Sequence, residues 1–203
     1  MKTIVQKENG VLRQVAKEIP VNKITTLKIK KVLKEMSLAL KSQSDGVAIA
    51  APQIGYTLSI FLVSGKIFDK SFVTNRKERF SGEKPVDDVK KVAKLSFAES
   101  PDASTEAFRE EKTKDLVFIN PKISKLSKEK EWVPEGCLSV RWLYGKTYRS
   151  KKATITACDE NGKKFQRGAS GLLAQIFQHE TDHLKGILFT DHAKEIKEEL
   201  PTK

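Results

Sequence analysis

"FQHETDHLKG", Phe177 to Gly186, sets two of the chain's three histidines four residues apart, with a glutamate directly after the first. Four residues is close to one helical turn, so in a helix His179 and His183 project from the same face with Glu180 beside them. The flanking sequence predicts that helix. Leu172, Leu173, Ile176, Phe177 and Leu184 recur at spacings of three and four, Ser170 stands where an N-cap belongs, and Gly186 supplies a C-terminal stop. Two neutral imidazoles one turn apart can bind one divalent metal, and an adjacent carboxylate that is not a ligand can take a proton from metal-bound water. That is the hydrolytic meaning of HExxH. Chance produces the pattern in roughly one shuffled chain of this composition in a few hundred.

The rest of the chain is that of a soluble globular protein. At 203 residues, 32% charged and 38% hydrophobic, it suits a single domain over 1–203 with a sizeable core. The N-terminal stretch has no continuous apolar segment, and nowhere is there a run approaching the roughly 18 apolar residues of a membrane span. A cytoplasmic protein with no membrane partner is expected. Two cysteines, Cys137 and Cys158, are too few for a disulfide scaffold and suit a reducing compartment where a thiol is free to bind metal. The net charge of +12 raises encounter rates with polyanions such as ribosomal RNA or an anionic membrane. The lysines are nevertheless scattered along the whole chain without a recognisable nucleic-acid motif, which excludes a dedicated DNA-binding protein and equally fits a solvated basic surface.

Outward from the histidine helix, the pattern alternates between strands and one further helix. Ile24, Leu27, Val32, Leu33, Met36 and Leu40 predict an amphipathic helix from Asn22 to about Ser42. "SDGVAIAAPQIG" follows, with Pro52 against a continuous helix, and Leu58 to Val63 reads as a buried strand. Residues 64–114, polar and weakly periodic, read as a long surface insertion with a short helix near Val86 to Leu95. "DLVFINPKI" predicts a strand ended by Asn-Pro, and "ATITACDENGKKF" a hairpin with Ala153, Ile155 and Ala157 on one face and Cys158 on the other. The tail, about 191–200, is expected to form a short charged helix with His192 exposed at its start. Short strands with a long terminal helix give an α+β class with the metal helix packed on sheet.

A catalytic metal usually has three protein ligands and a water. Residue chemistry leaves the third ligand open among Cys137, Cys158, His192 and several carboxylates. Three segments together narrow it. "GVAIAAPQIG" (Gly46 to Gly55), "EGCLS" (Glu135 to Ser139) and "QHETDHLKGILF" (Gln178 to Phe189) resemble, in order, the three motifs of the peptide deformylase family, and "NGVLRQVAKEI" and "LVFINPKI" extend the resemblance over most of the chain. The resemblance implies mixed and antiparallel sheets packed around a central metal-binding helix. It implies Cys137, His179 and His183 as metal ligands, Glu180 as general base and acid, and Gln53 with the backbone N–H of Leu138 as the oxyanion donors. Its reaction is removal of the formyl group from the N-terminal formylmethionine of nascent polypeptides, with release of formate. Its metal is labile iron(II), often replaced by zinc or nickel, and cobalt also suits thiolate and imidazole donors. Gly46, Val47 and Ala48, with Leu172 and Ile176 on the metal helix, are expected to line the substrate site.

This chain departs from the family pattern in places. Ala48 stands where the first motif usually has a second glycine, adding a methyl where the family's substrate backbone runs close. "SVRWLYGKTYR" lacks the proline turn common after the second motif. Arg149 matches a family arginine, and Tyr144 stands near where some members carry another. Two other readings compete. A zinc endoprotease leaves the first two motifs unexplained, and a ribosome-associated binding protein with a degenerate site draws on the +12 charge and Ala48 but leaves an intact set of site residues idle.

Overall fold

Four consecutive apolar residues, Ile60–Val63, form a strand buried on both faces. The structure is a computed structural model that describes residues 2–69, 72 and 114–200. In it this strand, β2 (Ile60–Val63), belongs to a five-stranded sheet with β1 (Ala48–Ala50), β3 (Leu116–Leu126), β6 (Lys152–Cys158) and β7 (Lys164–Ser170). The order is β1-β2-β3-β6-β7, antiparallel throughout. Side chains alternate across a strand, and two helices cover the two faces. Ile60 and Leu62 cluster with Ile29, Val32, Met36 and Leu40 of α1 (Leu27–Lys41), whereas Phe61 and Val63 cluster with Leu173, Ala174, Ile176 and Phe177 of α2 (Gly171–Leu184). Phe118 completes the second cluster, stacked on Phe61 at 4.6 Å and edge-on to Phe177 at 5.2 Å between centroids.

A second, three-stranded sheet of β4 (Lys130–Gly136), β5 (Leu143–Ser150) and β8 (Lys194–Glu198), in the order β4-β5-β8, is tied to α2 by polar contacts. The Gln178 side chain accepts from Ser150 N–H (2.9 Å) and donates to Ser150 O (3.0 Å), a two-bond clamp buried from water. The histidine helix is therefore held by apolar packing on one sheet and by hydrogen bonds to the other, the α+β arrangement the sequence implied.

The β6–β7 hairpin forms as expected. Asp159 Oδ1 accepts from Asn161 N–H (2.9 Å) and Lys163 N–H (2.8 Å), and Gly162 takes the left-handed backbone that the turn demands. Ala153, Ile155 and Ala157 face α2 and Cys158 joins the α1-side cluster, as strand alternation requires. Gly186, at φ +74, ends α2 against the backbone of Arg13.

Three expectations need correction. The tail is not a helix: Lys194–Glu198 is β8, paired with β5. An unpacked helix of about ten residues is marginal in water, whereas β5 offers an open edge of backbone donors and acceptors. Glu195, at φ +53, accompanies the register shift, and Gly145 lets Ala193 and Ile196 close over it. Asn-Pro does not end β3. The strand runs through it with a bulge between Ile119 and Lys122, where Asn120 at φ +52 bonds both backbone groups of Ile19 and keeps Pro121 out of the ladder. α1 begins at Leu27, preceded by a separate 3-10 turn at Val21–Lys23. Of the insertion at 64–114, the first residues are folded, with a 3-10 turn at Gly65–Phe68; the helix expected near Val86 to Leu95 lies outside the described residues.

Candidate active site

One turn of α2 places the His179 and His183 rings 4.9 Å apart, centroid to centroid. Cys137 arrives from the end of β4, in a turn closed by Val140 N–H donating to Cys137 O (3.1 Å), and its Sγ lies 3.1 Å from His183 Nε2. One ligand atom from each of Cys137, His179 and His183 falls within 4.8 Å of the others, the one such group of His, Cys or carboxylate side chains among the described residues. The other candidates stand elsewhere, Cys158 in the α1-side core and His192 exposed beyond α2.

The donor set fits a divalent metal. One thiolate and two imidazoles suit iron, zinc, nickel or cobalt. Glu180, next in sequence to His179, is buried with Oε2 lacking any hydrogen-bond partner, and burial pushes its pKa up to about 7. A buried carboxylate oxygen without a donor is otherwise unfavourable, and a site that brings water or substrate to it accounts for it.

Behind the triad stands a charged network to which sequence reasoning assigned no role. His179 Nδ1 meets Glu135 Oε2 at 3.1 Å, which leaves Nε2 for the metal side. Arg149 grips Glu135 in a fork, Nε to Oε1 at 2.8 Å and a terminal nitrogen to Oε2 at 3.0 Å, and reaches Asp182 at 2.6 Å with its other nitrogen. Burial opposes ionisation of Glu135, but His179 and Arg149 outweigh it and hold the carboxyl well below its usual range. Burial likewise opposes protonation of His179, and contacts with Cys137 and Glu135 outweigh it. At His183 burial and the neighbouring His179 outweigh the pull of Glu135, and the pKa is driven down. Alternation along β4 puts Glu135 on the inner face, the sequence signal that was available.

Gln53 sits in the 3-10 turn Ala51–Ile54. Its Oε1 accepts from Ala50 N–H (2.8 Å), which turns the amide NH2 toward Ser139 Oγ (3.2 Å) and Cys137 Sγ (3.5 Å). Leu138 follows Cys137 in the same turn, its carbonyl accepting from Gln6 Nε2 (3.1 Å). A cavity of about 270 Å³ opens here, lined by Gln53, Cys137, Leu138, His179 and Glu180 together with Gly46, Val47, Ala48, Leu172 and Ile176. Of the residues that the resemblance implies for the site, all line this cavity except His183, which is buried and outside the lining. Arg141, Trp142 and Phe72 line it too and were not anticipated. Arg141 binds Asp45 through two nitrogens (2.6 and 3.0 Å) and Gln43 (2.9 Å), a strap between the first-motif loop and the turn after Cys137.

Comparison with known proteins agrees with this geometry. The family model described as polypeptide deformylase matches residues 1–199. Peptide deformylase 2 of Clostridium acetobutylicum is 32% identical over 191 residues, 94% of each chain. A peptide deformylase of Psychrobacter cryohalolentis is 47% identical over 89 residues, 44% of this chain and 48% of that protein, so the match spans about half of that relative. Among solved structures, a probable peptide deformylase of Synechococcus phage S-SSM7 superposes with a TM-score of 0.65 at 27% identity, covering 93% of this chain and 97% of that one. A peptide deformylase of Synechococcus elongatus, in complex with actinonin, superposes with a TM-score of 0.65 at 25% identity, covering 95% of this chain and 78% of that one. The chain belongs to the polypeptide deformylase family.

Proposed function

We propose that this protein is a metal-dependent peptide deformylase that removes the formyl group from the N-terminal formylmethionine of nascent polypeptides and releases formate. The observation that carries the reading is the meeting of the Cys137, His179 and His183 donor atoms with the buried, unpartnered Glu180 carboxylate oxygen and the Gln53 amide beside one cavity.

Cys137, His179 and His183 hold the metal, natively iron(II), with zinc, nickel or cobalt able to take its place. When bound, such an ion supplies Lewis acidity and activates water at neutral pH. Glu180 takes a proton at its free carboxylate oxygen as the formyl carbon is attacked, and returns it to the departing amine. Gln53 Nε2 and the Leu138 N–H donate to the negative charge that develops on the formyl oxygen. Gln53 adds no charge of its own, and its carbonyl is already fixed by Ala50. Val47, Leu172 and Ile176 form an apolar wall for the unbranched methionine side chain, with Gly46 and Ala48 beside the substrate backbone. Glu135 and Arg149 keep the His179 ring in place.

We place the enzyme in the cytoplasm with its nascent-chain substrates, and its net charge of +12 supports attraction to the ribosome. No helix among the described residues is long and apolar enough to cross a membrane.

The test is formate release from a formyl-methionyl tripeptide by anaerobically prepared or nickel-substituted protein, beside an unformylated peptide open to internal cleavage. Formate with the second peptide intact is the expected result. Internal cleavage without formate replaces the reading with a metalloprotease.

A further inference from the structure

The outer face of the three-stranded sheet carries an aromatic pair that the cavity does not use. Trp132 of β4 lies directly opposite Tyr148 of β5, ring centroids 5.2 Å apart, and the two residues keep 46% and 52% of their surface exposed. Lysines surround them. Lys194 Nζ lies 5.0 Å from the Trp132 ring centre and Lys130 Nζ 5.8 Å from that of Tyr148. Neither lysine has a carboxylate partner among the described residues, whereas Lys146, opposite Lys194, is paired with Glu195. Cation–π contacts at such exposed sites are weak and leave the rings half open.

We propose that this face is a binding platform for single-stranded RNA. An RNA strand offers bases to stack on exposed rings and phosphates to meet lysines, and both features occur here on one face of one sheet. A protein partner that covered the rings would bury Lys130 and Lys194 without compensation from this chain. Anionic lipid is met by protruding apolar segments or amphipathic helices, whereas these rings are fixed on a paired sheet. The platform also points toward the active site. Tyr144, four residues from Tyr148 and on the same face of β5, lines the cavity, which puts the aromatic pair roughly 14 Å along the strand from it. The proposal deepens the polyanion contact suggested above and is independent of the chemistry in the cavity.

Fluorescence anisotropy of a labelled single-stranded RNA 12-mer with the full-length, metal-loaded protein tests it. Wild type binds, and Trp132→Ala/Tyr148→Ala binds about tenfold more weakly or worse. Trp132→Phe/Tyr148→Phe keeps most of the affinity, which separates stacking from misfolding. Lys130→Gln/Lys194→Gln lowers the slope of log affinity against log salt by about 1.4, the value for two phosphate contacts. Formate release, measured on each variant, stays at the wild-type level. RNA affinity unchanged in the alanine variant overturns the platform. Binding to phosphatidylserine vesicles but not to RNA overturns it in favour of a membrane surface.

Discussion

Replacing Arg149 by methionine, which preserves bulk, is expected to damage both the fold and the metal site. Arg149 is 7% exposed and Glu135 3%, and the guanidinium makes three charge-assisted hydrogen bonds, two to Glu135 and one to Asp182. Removing it leaves the Glu135 carboxylate buried with only His179 and a long bond from Gln175 Nε2 (3.4 Å) beside it. Breaking one partner of a buried pair costs about 3–5 kcal/mol. For a chain of this size each kcal/mol moves the melting temperature by about 2–4 °C, so Tm should fall by roughly 6–20 °C. Glu135 no longer fixed by its fork orients His179 poorly, and metal affinity should drop about 10- to 100-fold. Thermal melts of metal-loaded protein read the first effect, and competition with a chelator of known affinity reads the second. The double variant Glu135→Leu/Arg149→Met should recover much of the stability, since it leaves no unpaired buried charge at this pair, but not the metal affinity. A melting temperature for Arg149→Met within about 2 °C of wild type would refute the reasoning.

Two further substitutions separate site from scaffold. Cys137→Ser should lose most bound metal, because a hydroxyl is a far poorer ligand than a thiolate, while Cys158→Ser keeps one metal per chain and loses only some core stability; equal metal content in the two purified variants would contradict the assignment. Gly186→Ala should lower stability by more than about 1 kcal/mol, since the residue sits at φ +74 and a Cβ would come within 2.6 Å of Arg13 O, and a denaturant midpoint equal to wild type would show that the close approach is absent.

The parts of the fold that were legible are those with strong local signals. IFLV announces a strand buried on both faces, Asn161-Gly162 announces a hairpin, and the stripe of Leu173, Ile176, Phe177 and Leu184 announces the helix that carries His179 and His183. What was not legible depends on a distant partner. Lys194–Glu198 has helix-forming residues, and only the free edge of β5 makes it a strand. The Asn120-Pro121 bulge is stabilised by Ile19, about a hundred residues earlier in the chain. Cys137 and Cys158 could not be separated on thiol chemistry alone. The difference is that β4 ends against α2, whereas β6 turns Cys158 toward α1. Glu135 and Arg149 pair through the register of two strands, which spacing in the sequence does not reveal.

The measurement that tests the central claim most directly is formate release by Glu180→Gln. The change keeps size and shape and removes the base, at a side chain whose Oε2 lacks any partner from the protein. The variant should fold, keep one metal on Cys137, His179 and His183, and still bind a formyl-methionyl tripeptide. Its kcat should fall by roughly two orders of magnitude or more, the scale of general acid–base catalysis, with KM little changed. A fully metallated Glu180→Gln protein that turns over as fast as wild type would contradict the mechanism proposed for this site.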